Sequence, residues 1–302
     1  MLKNLLENNT KIFKLVCGAG NECAEDVEKL TEIYSLAGAQ LFDISANTTI
    51  LNAAKRGIEK SGINKDRYIC VSVGIKDDPH IKKATINQIL CDKCGLCESI
   101  CPNDAISNRT IINEKCIGCG NCTTHCHNNA IDLADNNLDL NKIIPELVKM
   151  GIDCIELHAT SEEDEDIWDK WEILNKYFDG ILSICIDRLN LGNKQVLNRI
   201  KKMIKNRVPY TTIIQADGIP MSGTDDTYKT TLQAVSMAEI IQNENLPVYT
   251  FISGGTNSKT AELAKLCDIN YAGIAVGSYA RKIIRTQNPI MKAKELVEKS
   301  LI

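Results

Sequence analysis

The chain has 302 residues, 44% of them hydrophobic, which suits one large α/β domain or two smaller ones and excludes a disordered chain. Its 35 Lys and Arg against 39 Asp and Glu are well mixed and leave a net charge of −4, without the basic excess of a nucleic-acid binder. No stretch approaches the ~20 apolar residues of a membrane span, and MLKNLLENNTKIF lacks the apolar core of a signal peptide, so a cytoplasmic protein partnered by neither nucleic acid nor membrane is expected.

In chain order, residues 1–10 carry little signal beyond turn residues. KIFKLVCGAG (11–20) reads as a first strand, and AEDVEKLTEIYSLAG (24–38) has helical spacing ending in Gly. AQLFDISA (39–46) is a second strand, NTTILNAAKRGIEKSGI (47–63) a helix opened by an Asn/Thr cap, and RYICVSVGI (67–75) a third strand. A cysteine-rich block follows. Then the helix LNKIIPELVKMG leads to strand DCIELHAT (153–160), and helix DEDIWDKWEILNKYF to strand GILSICIDR (180–188). Helix NKQVLNRIKKMIKN precedes strand YTTIIQADG (210–218), and a helix over 226–244 precedes strand PVYTFISGG (247–255). NSKTAELAKLC is helical, YAGIAVGS (271–278) is the eighth strand, and a last helical segment closes the chain. The acidic run Glu162–Asp166 reads as a helix N-terminus, where carboxylates suit the dipole.

Eight strand–helix pairs with near-continuous apolar strands predict an α/β fold, a (β/α)8 TIM-like barrel. An open doubly wound sheet is the competing arrangement. The expected division is 1–78 and 136–302 for the two parts of the barrel and 79–135 for an inserted α+β module after strand three. That connection opens on the C-terminal face, where barrel active sites are built.

Fourteen cysteines in a reducing compartment point to metal or catalysis rather than disulfides. CDKCGLCESICP (91–102) and CIGCGNCTTHCH (116–127) both have the C-x2-C-x2-C-x3-C spacing of ferredoxin-like modules. Three close cysteines wrap three corners of one cubane, and the fourth reaches the other cluster. Cys91, Cys94, Cys97 and Cys126 are thereby assigned to one [4Fe-4S] cluster, and Cys101, Cys116, Cys119 and Cys122 to a second. Gly95, Gly118 and Gly120 let backbone N–H groups approach the sulfurs. Zinc would want four ligands in two pairs, not two full runs. His127 stands where the usual pattern has Pro. Cys17, Cys70, Cys154, Cys185 and Cys267 lie in apolar runs and read as small core residues.

Strand ends supply candidate chemistry. Asp43 and Ser45 lie two apart, as do Glu156 and His158, so each pair shares a face. Asp187-Arg188 ends strand five; Gln215 and Asp217 lie on strand six. Glu156 and His158 read as an acid–base pair, with Asp187 and Asp217 as further catalytic candidates. Mutual pairing or helix capping is the alternative for any one of them. After strands seven and eight, Gly254-Gly255 and Gly277-Ser278 form a candidate phosphate cradle, with Gln215 beside them and Arg281 or Lys259 as a cation. A phosphate together with two clusters suggests a flavin such as FMN, which joins single-electron to two-electron chemistry; a small phosphate-bearing ligand would satisfy the same turns.

KLVCGAG, the cysteine block, IQADGIPMSGTD, SGGTNSKT and GIAVGSYARK together resemble the LdpA-like iron–sulfur proteins, over most of the chain and most strongly at 210–282. The family is named for the light-dependent period protein of the cyanobacterial clock. The resemblance implies iron–sulfur binding and, in the founding member, a redox-sensing role; it draws in Gly218, Met221, Ser222 and Gly223 beside Asp217, and supplies no catalytic residue set. Two functions follow as expectations. One is an oxidoreductase fed by a redox partner such as a ferredoxin or reductase, with the barrel mouth as its site. The other is a non-catalytic redox sensor or electron carrier that binds a partner or small ligand.

Overall fold

Apolar residues at both parities make the strands two-faced, and two-faced strands need cover on both sides. The computed structural model describes residues 1–302 except 19, 64, 76–77, 79–81, 135–137, 161–164, 190 and 219–225. The strands β1 (Ile12–Val16), β2 (Leu41–Ser45) and β3 (Tyr68–Val73) come first. The inserted segment carries β4 (Lys83–Ile86), β5 (Ile106–Ser107), β6 (Thr110–Ile111) and β7 (Ile131–Ala134). The chain continues with β8 (Cys154–His158), β9 (Ile181–Ile186), β10 (Thr212–Asp217), β11 (Tyr249–Ser253) and β12 (Gly273–Val276).

Among the helices, α1 (Leu2–Glu7), α2 (Ala24–Ala37) and α3 (Thr48–Lys60) precede the insertion, which holds α4 (Leu96–Ser99) and α5 (Asn121–His125). After it come α6 (Leu140–Met150), α7 (Glu165–Tyr177), α8 (Asn193–Ile204), α9 (Tyr228–Gln242), α10 (Thr260–Leu266), α11 (Ser278–Ile283) and α12 (Pro289–Ser300). Asn47 caps α3 through its side chain, which accepts from Thr49 N at 2.8 Å. Glu165 and Asp166 sit in the first turn of α7; the rest of that acidic run lies outside the described residues.

Eight parallel strands close in the order β1-β12-β11-β10-β9-β8-β3-β2, the expected barrel rather than an open sheet. The insertion leaves after β3; within it β4 pairs antiparallel with β7, and β5 with β6. Strand ends fall one to four residues inside the expected ones. Gly18, for example, has φ +111, outside the strand region, so β1 stops at Val16. The last helical segment is two helices, broken at Asn288 (φ 58) before Pro289.

One parity of each strand, such as Phe13, Leu15, Ile155 and Leu157, packs outward against the helices in the main core. The other parity fills the barrel in layers. At the bottom, Ile12, Cys70, Cys154, Ile213 and Phe251 meet Leu2 and Leu6. Within residues 1–10, Leu2–Glu7 thus form a helix, α1, that plugs the barrel floor. Two leucines four apart in a polar decamer are too short a pattern to announce it. Above the floor the interior turns polar, and that change positions the candidate site. No helix among the described residues is long and apolar enough to cross a membrane.

Candidate functional site

The insertion folds its cysteines into two groups. Cys91, Cys94, Cys97 and Cys126 line one cavity, beside α4. Cys101, Cys116, Cys119 and Cys122 line another, beside α5. Backbone N–H groups donate to sulfur at three places: Ala84 to Cys116 at 3.3 Å, Ala105 to Cys101 at 3.2 Å and Ala130 to Cys126 at 3.3 Å. Gly95, Gly118 and Gly120 all have positive φ, which turns each cysteine loop back on itself. Four sulfur donors around a cavity, with amides aimed at the sulfurs, is the donor set an iron–sulfur cluster requires.

The two groups differ in position. Cys94 is exposed, whereas Cys116 and Cys122 are buried. The second group is the one docked on the barrel. The Lys83 ammonium donates to Gly20 O at 2.6 Å, Cys116 O at 2.8 Å and Asn113 O at 2.9 Å, and lies 3.2 Å from Glu22 Oε2. Glu22 N donates to Glu114 O, and Arg285 Nη1 to Pro102 O at 2.8 Å. As a result Ile117, between Cys116 and Cys119, forms part of the wall of a cavity of about 80 Å³ at the barrel mouth.

That cavity has an acidic inner end and a cationic rim. Its inner lining includes Asp43, Glu156, His158, Cys185, Gln215 and Asp217; the rim includes Gly254, Gly255, Gly277, Ser278 and Arg281. Beneath it lies Lys14, fully enclosed. Its Nζ donates to Glu156 Oε2 at 2.6 Å and Gln215 Oε1 at 2.7 Å, and lies 3.2 Å from Asp43 Oδ2. Ser183 donates to Glu156 Oε2 at 2.6 Å, Gln215 Nε2 to Glu156 Oε1 at 2.9 Å, and Ser72 to Asp43. A buried charge is tolerated only when paired in this way.

The network sets the protonation of its members. Burial opposes the charge on Lys14, but Asp43 and Glu156 overcome it and hold its pKa well above the ordinary value. Burial pushes Asp43 upward against the pull of Lys14. Burial works the same way on Glu156, yet Lys14 and His158 bring it below the usual range. His158 Nδ1 lies 2.7 Å from Asp78 Oδ2 and its Nε2 3.7 Å from Glu156 Oε1. Burial alone would lower its pKa; Asp78 reverses this and raises it to about 9. The rim cation Arg281 donates to Val16 O at 3.0 Å and Ser278 Oγ at 3.3 Å.

Comparison with known proteins decides the family. The Light dependent period A C-terminal domain matches residues 146–301, and the LdpA Fe-S cluster-binding domain matches residues 80–137. Light dependent period A of Synechococcus elongatus is 31% identical over 284 residues, covering 89% of this chain and 80% of the relative. The chain belongs to the LdpA family. It is an iron–sulfur protein. For the LdpA fold, a truncated 3-deoxy-D-arabino-heptulosonate 7-phosphate synthase from Thermotoga maritima is similar with TM-score 0.52 at 12% identity, over 96% of this chain and 84% of that one. Tryptophan synthase of Mycobacterium tuberculosis is similar with TM-score 0.51 at 8% identity, over 100% of this chain and 96% of that one. At such identities the likeness shows the barrel alone.

In this LdpA-family chain Glu156, His158, Asp217, Gln215 and both glycine turns meet at one cavity. Asp187 is buried but absent from the lining; its Oδ1 accepts from Leu189 N at 2.9 Å. Met221, Ser222 and Gly223 lie outside the described residues. Two cysteines differ from their core reading. Cys267 is exposed, because it stands just past the end of α10 and outside the barrel. Cys185 is buried but faces the cavity, where its thiol donates to Asp217 Oδ2 at 3.3 Å. Lys14 and Asp78 were not singled out by sequence. Lys14 carried a signal: a lysine at the inward parity of an apolar strand must find a carboxylate. Asp78 sits in the sequence KDDPH, which has neither strand nor helix periodicity, and carried none.

Proposed function

We propose that this chain is an oxidoreductase that passes electrons through two [4Fe-4S] clusters to a small anionic molecule in the barrel mouth. The observation that supports this most is Ile117: a residue inside one cysteine loop walls the cavity that also holds Glu156, His158 and Arg281. Cys91, Cys94, Cys97 and Cys126 would hold the outer cluster, and Cys101, Cys116, Cys119 and Cys122 the inner one. When bound, these clusters supply single electrons from a redox partner, a ferredoxin or reductase, that docks beside exposed Cys94.

The chain's own residues do the rest. Arg281, Ser278 and the backbone of Gly254-Gly255 and Gly277 bind and orient a phosphate or similar anion. His158 lines the cavity as the acid–base group, and Asp78 fixes its ring. Lys14 holds Glu156 ionised below the reacting end. A volume of about 80 Å³ suits a phosphate-sized group, whereas pockets for drug-sized ligands run to about 300–1,000 Å³. A phosphorylated small molecule is therefore favoured over FMN.

A second reading is a non-catalytic redox sensor or electron carrier. It draws on the saturation of the inner network, since Lys14, Glu156, Gln215 and Ser183 satisfy one another as a structural layer would. Anaerobically purified protein separates the two. About eight irons per chain are expected, and the reduced protein should be reoxidised by some members of a panel of phosphorylated compounds. That reoxidation should be lost in Arg281→Gln. Intact clusters that no member reoxidises would transfer the chain to the sensor reading, and stoichiometric flavin on acid extraction would replace the small anion by FMN.

A further inference from the structure

We propose that His158, Cys185 and Glu156 form a divalent transition-metal site of the zinc type at the inner end of the cavity. The inference goes beyond the redox reading and does not rest on it. One ligand atom from each residue, a ring nitrogen, a thiol sulfur and a carboxylate oxygen, lies within 4.8 Å of the others, and all three residues are buried. All three line the same cavity, so a coordination position on that side is open to a small molecule.

The backbone makes the cluster rigid. Glu156 and His158 lie two apart on β8 and share its inner face. Cys185 on β9 is the register partner of His158 across the parallel ladder. Ligands held on two adjacent barrel strands keep their spacing without help from a loop.

Each donor also has the support that metal ligands need. Metal-bound histidines give their other ring nitrogen to a carboxylate or carbonyl, which fixes the tautomer. Here Nδ1 of His158 meets Asp78 Oδ2 at 2.7 Å, and Nε2 lies 3.7 Å from Glu156 Oε1. Lys14 and Ser183 occupy Oε2 of Glu156, while Oε1 takes one hydrogen bond, from Gln215, and keeps a lone pair. Asp217 Oδ2 sits 3.3 Å from the Cys185 sulfur, a fourth donor atom beside the three. A nitrogen, a sulfur and an oxygen together suit zinc or ferrous iron over magnesium or calcium, which take oxygen alone. A second triad, Asp92, Cys94 and His127, is exposed and uses a cysteine of the outer quartet, so it is not a separate site.

Zinc is the probe that tests this, because its X-ray absorption edge is separate from that of the cluster iron. Cluster-loaded full-length protein is treated with EDTA, given Zn²⁺ and dialysed; zinc and iron per chain are then counted and the zinc-edge fine structure recorded. The expected result is about one zinc per chain with iron unchanged, one sulfur at about 2.3 Å and nitrogen or oxygen at about 2.0–2.1 Å. Cys185→Ala should remove the sulfur shell, His158→Ala should abolish retention, and Asp78→Asn should weaken zinc binding by about 10–100-fold. Iron content and circular dichroism report whether each variant folds; if His158→Ala does not, Asp78→Asn and Cys185→Ala carry the test. No retained zinc, zinc with three or four sulfurs, or retention unchanged in Cys185→Ala and Asp78→Asn would overturn the site. None of these readouts depends on turnover, so the redox reading is judged separately.

Discussion

Lys14 Nζ lies 2.6 Å from Glu156 Oε2 inside the barrel, with both side chains almost wholly removed from solvent. Removing one partner of such a pair leaves an uncompensated buried charge. Lys14→Met should therefore cost about 3–5 kcal/mol in urea unfolding. Adding Glu156→Gln should recover part of the loss, so the double variant is less destabilised than the sum of the singles. A Lys14→Met loss below about 1 kcal/mol would mean that the layer is held by something else.

Gly254 tests the rim. Its φ is +74, and a Cβ there would sit 1.6 Å from Asp217 Oδ1. Gly95 has φ +75, yet a Cβ there meets nothing within 4 Å. Gly95→Ala should cost only the strain of the left-handed region, about 1–2 kcal/mol. Gly254→Ala must also displace Asp217 and should lower the melting temperature clearly more. Equal shifts would show that the β11 turn is not packed as described.

Lys83 ties the cysteine module to the barrel through Gly20, Asn113 and Cys116. Lys83→Ala should keep the iron, because no ligand changes, while amide hydrogen exchange over 113–118 becomes faster. Unchanged exchange would place the docking elsewhere.

His158 gives a pH dependence in protein stripped of divalent metal. Its folded pKa of about 9 is above the ordinary 6.5, so its contribution is fully present below pH 6.5 and is lost as pH rises through 9. The difference corresponds to roughly 3 kcal/mol. Unfolding free energies of wild type and His158→Gln, measured from pH 6 to 10, should converge toward the alkaline end. A constant gap would contradict the Asp78 pairing.

Periodicity carried the fold. The alternation of strands and helices from KIFKLVCGAG to YAGIAVGS maps onto the closed barrel, because two-faced apolar strands leave few other solutions. Cysteine spacing is consistent with the two sets of four sulfurs that line the two cavities of the insertion. The site was half legible. Glu156, His158, Gln215 and Asp217 could be placed by parity, but Asp78 reaches His158 from 80 residues away, and no local pattern encodes such a contact. The α1 plug was hidden for a related reason: its leucines make sense only against the barrel floor.

The measurement that tests the account most directly is an EPR-monitored redox titration of anaerobic protein with and without inorganic phosphate. On the proposed two-cluster reading, an anion held by Arg281 beside Ile117 should make reduction of the inner cluster less favourable. Its potential should fall by about 59 mV for each tenfold that reduction weakens phosphate binding. The outer cluster should not shift, and Arg281→Gln should abolish the effect. Two potentials that ignore phosphate, or a shift confined to the outer cluster, would contradict the coupling of the clusters to the barrel mouth.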